Sequence, residues 1–311
     1  MTLKFCSISS GSSGNCYLIK TNTTAILVDA GISARKIIDG IEASGLDYQD
    51  IQALLVTHEH IDHIKSVRTL VKKIKGLKVC SNRATFDRFC ETSIAEAHFP
   101  FETGESFMIG DITVKTFNIS HDAAEPVGFS FQAHGRCISL VTDTGLVTDE
   151  IYQNVKNSDL LVVEANHDIH TLQFCSYPYQ TKRRILGEKG HLSNEAAGEL
   201  IRDILIERKR QREVVADSDS LAERQSEQVS KAQMNSEDTS ELLTDKIKDE
   251  IENKIENVPI VLLAHLSREN NFPEMAIATI KNILEAENLF EEKDLELEVL
   301  QRDTLSKMYC L

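Results

Sequence analysis

Thr57-His58-Glu59-His60-Ile61-Asp62-His63 is the stretch that decides the fold of this chain. It follows a continuous apolar run, residues 51–57, which reads as a buried β-strand. Residues 64–75 come next, with Val67, Leu70, Val71 and Ile74 at helical spacing. His58, His60, Asp62 and His63 therefore sit within six residues just past a strand end. A turn there can aim alternate side chains at one spot. Imidazole suits zinc, iron and manganese, and carboxylate suits harder cations and can reach a bound water. His58 and His60 can hold one cation, and Asp62 and His63 a second. An incidental histidine-rich loop is the competing reading, and the spacing behind a buried strand argues against it.

Outward from this motif, the spacing predicts strands over residues 3–8, 15–20 and 24–29, a meander broken by Ser/Gly and Thr/Asn clusters. A helix is expected over 32–44, a strand from Val79 and a helix over 85–91. Strands follow over 106–109, 112–119, 127–133, 136–142 and 160–164, with hairpin turns at Gly110-Asp111 and His134-Gly135. The last elements are a helix over 194–207 capped by Ser193, a strand over 258–264, a helix over 274–287 and a strand over 295–300. Strands then helices, twice, suit an α/β chain built as a four-layer αββα sandwich, with two sheets inside and helices outside. One domain over residues 1–311 is expected. Residues 208–257 are dominated by charged and polar side chains and contain no Gly or Pro, so they cannot bury enough surface to fold alone. They are read as a helical or disordered insertion that leaves room for a partner contact.

The 311 residues carry a formal net charge of -15, which opposes broad attraction to nucleic acid or an anionic membrane. It does not exclude a nuclease, because bound cations supply positive charge locally. No run of about 18 apolar residues occurs, so no membrane span is expected. The start Met1-Thr2-Leu3-Lys4-Phe5 lacks a signal-peptide core, and a cytoplasmic location is expected. Seven cysteines with no C-x-x-C pair read as small buried hydrophobes of a reducing compartment. The sequence does not fix an oligomeric state.

H-x-H-x-D-H after a strand resembles the signature of the metallo-β-lactamase superfamily. Further segments resemble it in order: Val28-Asp29-Ala30-Gly31, whose Asp supports the ligand loop, Ile119-Ser120-His121-Asp122, Val141-Thr142-Asp143-Thr144-Gly145 and Leu263-Ala264-His265-Leu266-Ser267. The resemblance implies that His58, His60 and His121 bind one metal, that Asp62, His63 and His265 bind a second, and that Asp143 bridges them. Taken alone, His121 and Asp143 are ordinary turn residues and His265 a satisfied core histidine; the first motif's need for partners changes that. Two divalent cations, zinc or manganese with iron as a third choice, roughly 3.5–4 Å apart activate a shared water and neutralise a phosphoryl group. Asp62 can orient that water and take its proton.

The superfamily hosts many chemistries, so the substrate must come from local features. Gly190-His191-Leu192-Ser193, after Glu164-Ala165-Asn166, resembles the tRNA 3′-processing endonuclease branch, where a histidine at a helix start stabilises the scissile phosphate and a glutamate orients it. The alternative reading is a plain capping turn. Val163 and Leu192 depart from that branch, and no Gly/Pro-rich basic arm is present. The Ser9–Asn15 loop, Glu164-Ala165-Asn166-His167-Asp168 and Ala264-His265-Leu266-Ser267-Arg268-Glu269-Asn270-Asn271 are similar to the WalJ/YycJ group of bacterial exonucleases. That similarity implies a metal-dependent 5′→3′ DNA exonuclease, with Asp62, His191 and Glu164 as catalytic candidates. Ser13, Asn15, His167 and Arg268 are candidate substrate contacts. RNA processing or hydrolysis of a small phosphodiester on the same scaffold is the alternative.

Overall fold

The computed structural model describes residues 2–90, 94–229 and 258–311. Their fourteen strands form two sheets of seven. The first sheet holds β1 (Lys4–Ser9), β2 (Cys16–Lys20), β3 (Ala25–Val28), β4 (Ala53–Leu55), β5 (Lys78–Ser81) and β6 (His98–Pro100) in that order. The second runs β7 (Ser106–Ile109), β8 (Ile112–Asn118), β9 (Val127–Ala133), β10 (Arg136–Val141), β11 (Leu160–Glu164), β12 (Ile260–Ala264) and β13 (Glu296–Val299). Strand β14 (Tyr309–Cys310) closes the first sheet beside β1, with Phe5 opposite Tyr309.

Each sheet changes character halfway. Hairpin turns keep β1 to β3 and β7 to β10 antiparallel, whereas β3 to β6 and β10 to β13 are parallel. Parallel strands need crossovers, and those crossovers are the helices. Helices α1 (Ala34–Ala43), α2 (Ile61–Ile64), α3 (Val67–Lys73) and α4 (Arg83–Phe89) connect the parallel half of the first sheet. Helices α5 (Asp149–Val155), α6 (Ile169–Phe174), α7 (Tyr179–Ile185), α8 (Asn194–Val229) and α9 (Pro273–Glu285) serve the second.

Three apolar clusters make four layers. Phe5, Tyr17, Phe129 and Phe131 fill the space between the sheets. Ile37 and Ile41 of α1 pack with Val67 and Leu70 of α3 on Leu18, Leu27, Leu54 and Val79. Leu200, Ile201 and Ile204 of α8 pack with Ile280 and Leu284 of α9 on Val141, Leu161, Val163 and Leu263. The expected αββα sandwich is the observed architecture. In such a sheet the loops leaving the carboxyl ends of the parallel strands share one rim, where ligands bind in open α/β folds.

The structure differs from the sequence reading in several places. The helix expected over 64–75 is divided, because the Ser66 hydroxyl donates to Ile32 O (2.5 Å) and its N–H to Ala30 O (2.8 Å), which draws the chain onto the Asp29 turn. The short β6 and β14 lie at or beside sheet edges, where hydrophobic alternation gives little signal. Helices α5, α6 and α7, six or seven residues long, are additions to the elements expected from the sequence. The helix expected to end at 207 continues to Val229, so the first part of the charged segment is helical. Arg208 belongs to the core side of that boundary: it is buried, with Nε donating to Lys156 O and Nη2 to Ser158 O. The remainder of the expected insertion, 230–257, lies outside the described residues.

Candidate metal centre

Asp29 follows β3, the His58–His63 turn follows β4, Asp143 lies just past β10, and His265 follows β12. Asp29, Asp143 and His265 each adopt left-handed backbone, with φ of 60°, 59° and 55°. A non-glycine residue there costs of order 1–3 kcal/mol, and such strain clusters at functional sites. The turn itself is stapled from below: Asn15 N–H donates to Asp62 O (2.9 Å) and Ala30 N–H to His63 O (2.6 Å). Gly31 is required for this approach, since a Cβ there would sit 1.5 Å from Asp62 O.

Four histidines share one arrangement. His58 Nδ1 is 3.0 Å from Thr57 Oγ1, His63 Nδ1 is 2.8 Å from Asp29 Oδ2, His121 Nδ1 is 3.0 Å from Gly190 O, and His265 Nδ1 is 2.7 Å from Glu164 Oε1. Thr57 Oγ1 itself donates to Asp29 Oδ2 (2.9 Å), so it can only accept from His58. Every Nδ1 thus faces an acceptor, which fixes an N–H there and turns Nε2 to the centre, where it offers a lone pair to a cation once it carries no proton. These Nε2 atoms point inward. His58 Nε2 and His121 Nε2 lie 3.1 and 3.3 Å from His60 Nδ1. His63 Nε2 lies 3.3 Å from Asp143 Oδ2 and 3.5 Å from Asp62 Oδ2, and His265 Nε2 lies 3.8 Å from Asp62 Oδ2.

Such convergence is repulsive without a positive charge between the atoms. Asp143 Oδ2 and His265 Nε2 are buried with no hydrogen-bond partner, a cost of about 1–3 kcal/mol each. The residues group as His58, His60 and His121, and as Asp62, His63 and His265, with Asp143 joining His58 and His63. An N/O donor set of this kind fits a divalent cation such as zinc or manganese.

The electrostatics point the same way. Burial and the neighbouring His63 keep the His58 imidazole neutral, and burial does the same for His121. Burial also opposes charge on His265, but Asp143, Asp62 and Glu164 outweigh it and push the imidazole up to about 10. His63 is likewise raised, because Asp29 and Asp143 overcome its burial. Desolvation would lift Asp62, yet the adjacent His265 and His63 imidazoles hold it far below the usual carboxylate range. This half of the centre carries an excess of carboxylates and demands positive charge.

Glu164 is buried on β11 and spends all its acceptor capacity. Its Oε1 accepts from His191 Nδ1 (2.8 Å) and His265 Nδ1 (2.7 Å), and its Oε2 from the N–H groups of Thr144 (3.0 Å) and Leu192 (3.2 Å). It therefore touches no substrate, and the expectation that it is catalytic is corrected to a positioning role through His191 and His265. His191 remains partly open, 19% exposed, beside both Glu164 and Asp143. Burial disfavours its charge, but those carboxylates raise its pKa.

Two expected substrate contacts are also corrected. Asn15 is buried, with Oδ1 accepting from Gly11 N–H (2.9 Å) and Nδ2 3.2 Å from His63 Nε2, so it shapes the Ser/Gly loop and the site floor. His167 is buried with neither ring nitrogen hydrogen-bonded, and burial lowers its pKa to about 4. Its ring is closed off from solvent in this structure. Ser13 and Arg268, by contrast, line a cleft of about 610 Å³ with Leu266, Phe272 and Arg302, immediately after His265. The sequence reading gave no role to Thr57, whose hydroxyl links Asp29 to His58. Nor did it give one to Asp122, which lies 3.8 Å from His60 Nε2 and pairs with Arg184 (2.6 Å). Their positions inside the motif segments were the available signal.

Comparison with known proteins agrees with this geometry. The sequence model of the β-lactamase superfamily domain matches residues 24–210. A Bacillus anthracis protein named exodeoxyribonuclease YycJ is 37% identical over 208 residues, which is 66% of this chain and 78% of that protein. A Streptococcus pneumoniae protein named exodeoxyribonuclease WalJ is 37% identical over 202 residues, 63% of this chain and 74% of its own length. Among solved structures, the metallo-β-lactamase fold protein YhfI of Bacillus subtilis superposes with a TM-score of 0.61 at 13% identity, covering 98% of this chain and 99% of that one. A diphosphatase of the PhnP family gives 0.54 at 12% identity, covering 100% and 98%. These two likenesses establish the fold. With more than half the chain matched by the superfamily's sequence model, and the motifs in place on the rim of the two sheets, the chain belongs to the β-lactamase superfamily in its metallo-β-lactamase-fold form.

Proposed function

We propose that this chain is a metal-dependent phosphodiester hydrolase that removes nucleotides from the 5′ end of DNA. The observation that carries the reading is the set of inward-facing ring nitrogens around Asp143, with His191 held by Glu164 beside it. The 37% identity to proteins named exodeoxyribonucleases supports the choice of substrate.

His58, His60 and His121 would hold one divalent cation, Asp62, His63 and His265 a second, with Asp143 between them. Zinc and manganese suit the donor set best, and iron also fits it. Bound there, the cations supply a water of lowered pKa and offset phosphoryl charge. Asp62, partly open to solvent and held ionised, would accept a hydrogen bond from that water and orient it. His191, whose pKa Glu164 and Asp143 raise against its burial, would donate a hydrogen bond to a phosphate oxygen or to the leaving oxygen. Glu164 fixes the tautomer of both His191 and His265. Ser13 and Arg268 are placed to meet the strand in the cleft beyond His265. A cytoplasmic site of action suits seven cysteines that form no disulfide among the described residues, and no described helix is long and apolar enough to cross a membrane.

The test is digestion of 5′-labelled single- and double-stranded DNA by the purified chain with manganese or zinc, with His60→Ala as control. Stepwise loss from the 5′ end, absent in the variant, is expected. His191→Ala should retain metal and lose roughly two orders of magnitude in turnover. A fully metallated chain that leaves DNA intact but hydrolyses a small phosphodiester would replace DNA as the substrate.

A further inference from the structure

Residues 169–191 form a wall that meets the site through Arg184, Gly190 and His191. Four basic residues stand there against one acidic, in a chain whose formal net charge is -15. The same stretch carries two of the most exposed large side chains described, Phe174 at 87% and Tyr179 at 74%. Both rings thus offer open faces on the same segment as the cations.

The wall is built rather than loose. Lys182 Nζ donates to Gln173 O and Cys175 O, both at 2.7 Å, which pins Phe174 between them to the side of α7. The Arg183 guanidinium lies over the Tyr179 ring, 6.0 Å from its centroid, and both are exposed. Arg184 pairs with Asp122, next to His60 and His121. At the foot of the wall, His191 N–H donates to Ile185 O (3.0 Å), while Gly190 O holds His121 Nδ1 (3.0 Å). Gly190 has no room for a side chain, since a Cβ would stand 2.1 Å from Ile185 O. The segment that orients His121 and His191 thus also presents the rings and cations.

We infer that this wall is a stacking track for an unpaired DNA strand, with Phe174 and Tyr179 taking bases and Arg183 and Lys189 taking phosphates as the strand runs to His191. The inference rests on the proposed nuclease reading and names the surface that grips its substrate. Exposed rings interleaved with cations are what a single strand needs, because its bases offer free faces and its backbone a regular negative charge. A duplex hides those faces, and the chain's overall negative charge makes a local positive surface necessary for either. Helix α7 gives the track a length of about 10 Å.

The experiment compares the full chain with Phe174→Ala/Tyr179→Ala and with Arg183→Gln/Lys189→Gln. Binding of a fluorescent phosphorothioate oligothymidine is followed by anisotropy across a salt series, and hydrolysis of thymidine 5′-(p-nitrophenyl phosphate) reports the centre itself. Loss of the rings should weaken oligonucleotide binding about tenfold or more for each ring. Removal of the two cations should flatten the slope of log affinity against log salt by about 0.7 for each phosphate no longer neutralised. Hydrolysis of the small ester should stay unchanged in both. Unaltered oligonucleotide affinity in the ring variant overturns the track, and stepwise DNA digestion by the same protein would show that the nuclease reading survives it. Ring-dependent binding by a chain that never cuts DNA would uphold the track and sink the nuclease reading. Blunt duplex DNA bound as tightly, and weakened as much by the ring variant, would overturn the preference for an unpaired strand.

Discussion

Replacing Glu164 by Gln tests the central physical claim, that this buried carboxylate sets the tautomers of two histidines. The carboxylate accepts four hydrogen bonds, two from imidazole Nδ1 atoms and two from backbone N–H groups. An amide has one oxygen. If the oxygen stays on Thr144 and Leu192, the amide nitrogen faces both Nδ1 atoms, and His265 must move its proton to the Nε2 that should bind metal. If the amide flips, two buried backbone donors lose their acceptor, at about 1–3 kcal/mol each. Two charge-assisted bonds are lost in the first case, about 3–6 kcal/mol in total, shared between fold stability and metal affinity. A partner removed from behind a ligand typically costs 10–100-fold in metal affinity. We therefore expect Glu164→Gln to bind one equivalent of zinc about 10–100-fold more weakly and to lose more than about 100-fold in turnover even when saturated. Chelator competition gives the affinity, calorimetry the stability, and a chromogenic thymidine ester the turnover. Metal affinity within twofold of the parent, together with near-normal turnover, would refute the tautomer argument.

Three further outcomes follow from the same geometry. Gly31→Ala should destabilise the chain by more than about 4 kcal/mol, whereas Gly45→Ala, which meets nothing within 4 Å, should cost only the ordinary left-handed penalty of about 1–2 kcal/mol; equal denaturation midpoints would contradict this. Asp111 joins the sheets: slight burial would raise its pKa, but hydroxyls from Thr24, Thr21 and Thr23 hold it at about 2. Its folded pKa is depressed, so its stabilising contribution is present above about pH 4 and lost as pH falls through about 2; melting curves of the parent and Asp111→Asn should converge over that interval. Cation uptake near neutral pH should expel protons held on His265 and His63, seen as a dependence of calorimetric heat on buffer ionisation enthalpy, and a heat independent of buffer would count against the proposed ligand set.

The line between what could be read early and what could not follows the range of each interaction. His58, His60, Asp62 and His63 lie within one turn, so their clustering is a local property and the sequence displays it. Long strands and amphipathic helices, such as β8, β9 and the first part of α8, are legible because burial repeats at a fixed period. Helices α5, α6 and α7 and strands β6 and β14 were not, since each offers few repeating positions. The roles of Glu164, Asn15 and His167 were not legible either, because an exposed and a buried polar residue look alike in a string of letters. Only the packing of β11 against β12 brings Glu164 within reach of His265, 101 positions away. Likewise the sequence analysis assigned no element to the basic wall; its placement beside the centre comes from Gly190 and Arg184 meeting His121 and Asp122. The sequence by itself determined which donors exist and which fold would gather them. The tertiary structure decided which nitrogen of His63, His121 and His265 faces inward, because that choice is made by acceptors at Asp29, Gly190 and Glu164, far from them in the chain.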